Sequence, residues 1–170
     1  MSDRVEIAQR KLVAAYCEID QRRGRDMPFY NERLGVEAVG FQVWDGDVIG
    51  VLITPWFMNL MLLPGEATDC APCSDGDVRE LQLPSGKYRF VAGLLEGPGV
   101  CFSAALFTTV EVFPDQATAR AVAAEVMTRI FADHRDRDSL GEADIVAGTD
   151  VLRQPVSRRG LLRRLALKQD

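Results

Sequence analysis

Histidine is nearly missing from this chain of 170 residues: His134 stands alone, inside the charged run DHRDRD at 133–138. Imidazole-based acid–base or triad chemistry needs a partnered histidine in a pocket. A solvated run at a helix end offers instead a cation for the helix dipole. The chain has no GxGxxG, P-loop, HExxH or GxSxG, so the enzyme classes those motifs mark lack their signatures. No apolar run reaches the roughly 18 residues of a bilayer-spanning helix, so stable membrane insertion is not expected. The charged opening MSDRVEIAQRKLV lacks a secretory apolar region. Cysteine is scarce, at Cys17, Cys70, Cys73 and Cys101; without an export signal these read as reduced thiols in a cytoplasm. No repeat or low-complexity tract interrupts the chain, and one compact domain is the natural expectation at this length.

The net charge of −5 hides an asymmetry. Residues 151–170 carry five arginines and Lys168 against Asp170, which leaves −10 on residues 1–150. An acidic body argues against nucleic acid as a partner, because counterion release needs clustered cations. The basic tail reads either as a solvated end or as an interaction segment.

Periodicity divides the chain into helix, strands, helix. Val5, Ala8, Leu12, Ala15 and Ile19 recur at helical steps over 3–22, with Asp3 and Glu6 as a capping-box-like start. The connector RDMPFYNERLG follows. Val39, Phe41 and Val43 then alternate with Gly40, Gln42 and Trp44, and Asp45-Gly46 is a strong hairpin signal. VIGVLIT (48–54), a run at 56–63, VRELQL, KYRFVAGLLE and Val100–Phe113 supply further strands between turns. Asp115 is a good N-cap for a second helix over 115–133, with Ala119, Val122, Val126 and Ile130 facing inward. The expected fold is α+β and two-layered: an antiparallel meander of about six strands, with both helices on one face. Residues 1–138 form the domain, 139–156 a linker, and 157–170 a basic tail.

Two features carry possible chemistry. Cys70-Ala71-Pro72-Cys73 is a CxxC, a spacing at which two thiols chelate metal or form a redox pair. It has no second cysteine or histidine pair to complete a zinc site, and Asp69, Asp75 and Asp77 would raise the thiol pKa values. The other feature is ITPWFMNLMLLPG at 53–65, large, apolar and bracketed by prolines. Methionine and aromatic side chains suit adaptable recognition surfaces. Trp56, Phe57, Met58, Asn59 and Met61 are therefore the candidate partner-binding residues, with Trp56 and Phe57 on opposite faces of a strand. The alternative is a central strand buried on both sides.

Four segments in order, PFYNERLGVEAVGF (28–41), GVLITPWFMNLMLLPG (50–65), LQLPSGKYRFVAGLLEG (81–97) and SRRGLLRR (157–164), resemble the HybE/HupJ family of [NiFe]-hydrogenase assembly chaperones. The resemblance implies a cytoplasmic, non-enzymatic helper without a cofactor, acting with other accessory proteins of hydrogenase maturation. Its implied client is the small-subunit precursor, with the large subunit open as a second one. The CAPC pair is not part of the resemblance, and the paired CxxC sites of a rubredoxin module are absent, so no iron centre is inferred. A thiol- or metal-handling role through Cys70 and Cys73 is the alternative. The tail residues Ser157, Arg158, Arg159, Leu161, Leu162 and Arg163 follow the pattern of a twin-arginine export signal. Such signals are N-terminal and precede a long apolar region, so this one does not export the chain. It reads either as a short amphipathic helix docked on the body or as a mimic of the client's signal that covers the client groove.

Overall fold

The computed structural model describes residues 2–65 and 74–132. Cys70, Cys73, His134, the linker and the tail motif lie outside the described residues. The elements in chain order are α1 (Ser2–Arg23), one 3-10 turn (Gly24–Asp26), β1 (Glu37–Trp44), β2 (Asp47–Ile53), β3 (Met58–Leu63), β4 (Val78–Leu83), β5 (Gly86–Leu95), β6 (Gly99–Phe107) and α2 (Gln116–Phe131). The α+β class, the six antiparallel strands and both helices are as the sequence implies. Asp115 caps α2 by accepting from the Thr118 N–H at 2.7 Å.

The sheet order β1-β2-β3-β6-β5-β4 departs from a simple meander. Two three-stranded meanders are joined where β3 meets β6, with Leu60 opposite Ala104. The reason lies in the connection over 64–77, too long to act as a hairpin turn, so nothing holds β4 beside β3.

The helices do not share a face, contrary to the sequence expectation. In β2, Ile49, Val51 and Ile53 pack in one cluster with Ala119, Val122 and Ile130 of α2. Val48 and Leu52 pack in another with Leu12, Ala8 and Tyr16 of α1. Side chains alternate along a strand, so the two clusters lie on opposite sides, and every β2 residue is buried. The alternation expected for β1 also breaks. Its register slips between Val39 and Gln42, where Gly40 has a φ of 67°. Val39 therefore joins the α2 side while Phe41 and Val43 join the α1 side. A bulge of this kind re-aims every later residue.

The sheet curls around α2. Four strand spacings separate β2 from β4, about 19 Å if flat, yet Arg79 Nη2 on β4 lies 3.3 Å from Asp47 Oδ2 on β2. The guanidinium crosses the Phe102 ring, 5.7 Å from its centroid. Asp47, 2% exposed, also accepts from the Gly65 N–H at 2.8 Å. On the opposite border Glu37 accepts from Arg120 Nε and Gln116 Nε2, both at 2.7 Å, tying α2 to β1.

Two outcomes test this architecture. A Cβ on Gly50 would lie 2.2 Å from the Phe41 ring, at atoms close to the ring's attachment. Gly50→Ala should cost about 2 kcal/mol through overpacking, measured by chemical denaturation; an unchanged midpoint would contradict the close approach. Burial works to raise the Glu37 pKa, but the bonds from Arg120 and Gln116 outweigh it and hold the carboxyl below its usual value. A carboxyl depressed by folding stabilises fully above its unfolded pKa of about 4.3 and loses that contribution as pH falls through the folded value. Glu37→Gln should therefore lose less Tm than the natural chain between about pH 6 and about pH 3.

Candidate partner-binding turn

Trp56 and Phe57 are not part of β3, which begins at Met58. They belong to a tight turn between β2 and β3, closed by Thr54 N–H donating to Phe57 O at 2.9 Å. The fully buried Thr54 hydroxyl accepts from the N–H groups of Trp56 (3.3 Å) and Phe57 (3.0 Å). Pro55 is buried, and its carbonyl accepts from the Asn31 N–H at 2.7 Å. Asn31 Nδ2 in turn donates to Val110 O and Phe113 O, each at 3.0 Å, and Oδ1 accepts from the Arg33 N–H. Asn31 thus knots three loops, through its backbone N–H to the turn and through its side chain to the other two.

On this base stands an aromatic cluster. The Tyr16 and Phe57 rings meet edge to face at 5.5 Å, Trp56 and Phe57 at 5.8 Å, and Tyr16 and Trp56 lie 6.4 Å apart. Such pairs add about 0.5–1.5 kcal/mol each beyond area burial. Trp56 and Phe57 are half-buried, so each combines a fixed inner edge with an accessible outer one. Burial first, and the Cys101 thiol second, push the Tyr16 phenol up to about 12, which keeps it neutral. Phe29, 58% exposed at a φ of 62°, and the exposed Val112 sit on the flanking loops that Asn31 joins.

The other candidates are placed differently. Met58 is fully buried and Met61 is 1% exposed; β3 is sealed by α2 on one side and by the α1 cluster on the other, so neither offers a contact surface. Asn59 is half-buried, opposite Leu52 and Ala105, and shares the α1 side with Phe57. Acidic side chains are not concentrated beside this cluster. Glu18, Asp20, Asp26 and Glu32 alternate with Arg22, Arg23, Arg25 and Arg33 along the adjoining segments. Glu18 is ion-paired with Arg22, and Asp20 accepts from the Tyr30 hydroxyl at 2.8 Å.

Among the described residues no group of three or more His, Cys, Asp or Glu side chains is placed to hold a metal ion. Burial pushes the Cys101 thiol up to about 12, and burial with the nearby Asp20 raises Cys17. Cys101 is buried in the α1-side cluster and behaves as a small core residue, whereas Cys17 is only partly buried and belongs to neither cluster. No helix among the described residues is long and apolar enough to cross a membrane.

Tyr16, Asn31 and Thr54 escaped the sequence reading, although Asn31 and Thr54 lie within quoted segments. A threonine before proline at a strand end was the available signal for Thr54; the Asn31 bonds are tertiary and leave no local trace. Thr54→Val keeps the shape but leaves two N–H groups without their acceptor, a cost of about 1–3 kcal/mol. In a Trp44→Phe background that variant should red-shift the Trp56 emission; an unshifted spectrum would contradict the anchoring role.

Comparison with known proteins places this geometry. Residues 8–164 match the family model described as [NiFe]-hydrogenase assembly, chaperone, HybE. The chain is 32% identical over 152 residues to the hydrogenase expression/formation protein HupJ of Bradyrhizobium diazoefficiens, covering 89% of this chain and 85% of that one. It is 35% identical to a Rhodobacter capsulatus protein named "Probable rubredoxin HupJ", covering 85% of this chain but 52% of that longer relative. The solution structure of HybE from Escherichia coli shares the fold, with a TM-score of 0.61 at 21% identity over 84% of this chain and 90% of that one. The chain belongs to the HybE family of [NiFe]-hydrogenase assembly chaperones.

Proposed function

We propose that this protein holds an immature [NiFe]-hydrogenase subunit, the small-subunit precursor with its twin-arginine signal, at the turn bearing Trp56 and Phe57. The observation that carries the reading is the partly exposed aromatic pair on a base fixed by Thr54 and Asn31. Large rings held rigidly lose little conformational entropy when a ligand covers them, which suits them as anchors. Asn59, on the same side, gives an extended peptide a polar foothold. Met58 and Met61 act from beneath as packing, not as contacts. The mechanism is reversible sequestration in the cytoplasm: apolar burial gives affinity, charge complementarity selects the partner, and no covalent chemistry is needed.

The experiment is a binding titration of the full chain with small-subunit precursor and, separately, with precursor lacking its signal. Trp56→Ala and Phe57→Ala should each cost about 2 kcal/mol, roughly 30-fold in Kd, as centrally placed aromatic anchors do. Removal of the signal should weaken binding by at least as much. Unchanged affinity in both aromatic variants would remove the turn from the interface. Unchanged affinity for the signal-less precursor would move the client contact to the folded subunit.

A further inference from the structure

The α1 side of the sheet is only half covered. α1 packs over β1 and β2, and its apolar cluster reaches no further than Met61, Leu95 and Cys101. One cross-strand row runs Gly50, Met61, Ser103, Val91, Val78, from β2 to the β4 edge. Its burial fades along the row: Gly50 lies under Phe41, Met61 is 1% exposed, Ser103 is half-buried, Val91 is 43% exposed and Val78 48%. Exposed Ala105 and half-buried Gly93 lie beside it. The result is a shelf, a short apolar strip of Ala105, Gly93, Val91 and Val78 across β6, β5 and β4, walled on one side by α1 and flanked toward the β4–β5 turn by the exposed Glu80, Gln82, Lys87 and Arg89. From β6 to β4 the strand centres span about 10 Å, and a helix with its side chains is about 10–12 Å across. The shelf has room for one helix alongside α1.

We propose that the occupant is this chain's own tail, residues 157–168, laid on the shelf through Leu161, Leu162 and Leu165. Three features single it out. Those leucines fall at helical spacing on one stripe. α2 lies on the other face, but the chain leaves it at the margin of the sheet, because the Ser85 N–H in the β4–β5 turn donates to Ile130 O at 3.1 Å in the last turn of α2. Residues 133–156 then have a reach of roughly 80 Å when extended, several times the sheet's width. The tail's arginines also find carboxylates at the rim. An Asp75 oxygen would lie 3.9 Å from a Cβ on Gly93, and Glu80 follows Val78 on the same side of β4. Lys87 and Arg89 occupy the end nearer the β4–β5 turn, which favours a tail whose cations point toward Asp75. The inference concerns this chain alone and holds whichever subunit is the client. Since Phe57 and Asn59 border the shelf from the β3 side, a docked tail lies next to the turn.

Hydrogen exchange of the full chain tests this, compared with Leu161→Ser/Leu165→Ser and with Val91→Arg, each at two protein concentrations. Amides of Val78–Leu83 should exchange about ten-fold faster in both variants, because an edge strand without its cover opens more often. Amides of Gln116–Phe131 should be unchanged, which shows the variants folded, and no rate should depend on concentration. Equal β4 exchange in the natural chain and the leucine variant would overturn the proposal. So would protection of β4 that survives the leucine substitutions and rises with concentration, the mark of a second copy on the shelf.

Discussion

β2 is sealed on both faces, and the rest of the molecule is arranged around that fact. A strand of DVIGVLI composition has no polar side to turn to water, so it needs a layer on each flank. α1 supplies one and α2 the other. Each fully buried Val, Leu or Ile is worth about 1.5–3 kcal/mol, so shifting β2 by one residue would misplace several such side chains at once. Register is therefore rigid, and with it the position of the turn that leaves β2 at Thr54. The proposed recognition residues inherit this rigidity: they sit at the end of a strand buried along its whole length.

The same strand shows how much was legible. Its unbroken apolar run was visible, and such a run signals burial on both sides, yet an antiparallel meander was read as having its helices on one face. The local signals were sound: Asp45-Gly46 forms the two-residue hairpin, at φ values of 48° and 85°, and Asp115 caps α2. The non-local features were illegible. Pairing of β3 with β6 depends on where a long connection sends the chain. A glycine at the bulge is required by the positive φ and by the close approach of Met127, 2.9 Å from where a Cβ would stand, and the sequence shows only a glycine in a strand. Trp56 and Phe57 were identified by their size in an unusual block. Their partial exposure comes from a turn, not from the two faces of a strand, while Met58 and Met61 are buried because β3 is also covered on both sides.

Charge needs a similar distinction between total and place. Residues 1–150 carry an excess of carboxylates, but several of them serve the fold. Asp47 clasps Arg79 across the curled sheet, Glu37 holds α2 to β1, and Asp20 bonds Tyr30 on the connector. Carboxylates committed in this way are less available to an arginine-bearing peptide. Under the proposed function, partner choice then falls to the few acids left on the rims and to the shape of the aromatic turn.

Magnitudes limit what that turn can do by itself. About a third or less of the Trp56 surface is exposed, which leaves at most roughly 80 Å² for a partner to cover, worth about 2 kcal/mol at 25 cal/mol per Å². Immobilising two proteins against each other costs at least about 4 kcal/mol, so Trp56 alone cannot hold a client. Phe57, with Phe29 and Val112 on the flanking loops, brings the apolar gain to a level that exceeds the cost by a modest margin. A modest margin is what a holding protein requires. Its client must dissociate once assembled, and a deeper pocket that buried the whole cluster would retain it. Partial burial of Trp56 and Phe57 on a rigid base meets both demands, since the buried part fixes the geometry and the exposed part limits the affinity.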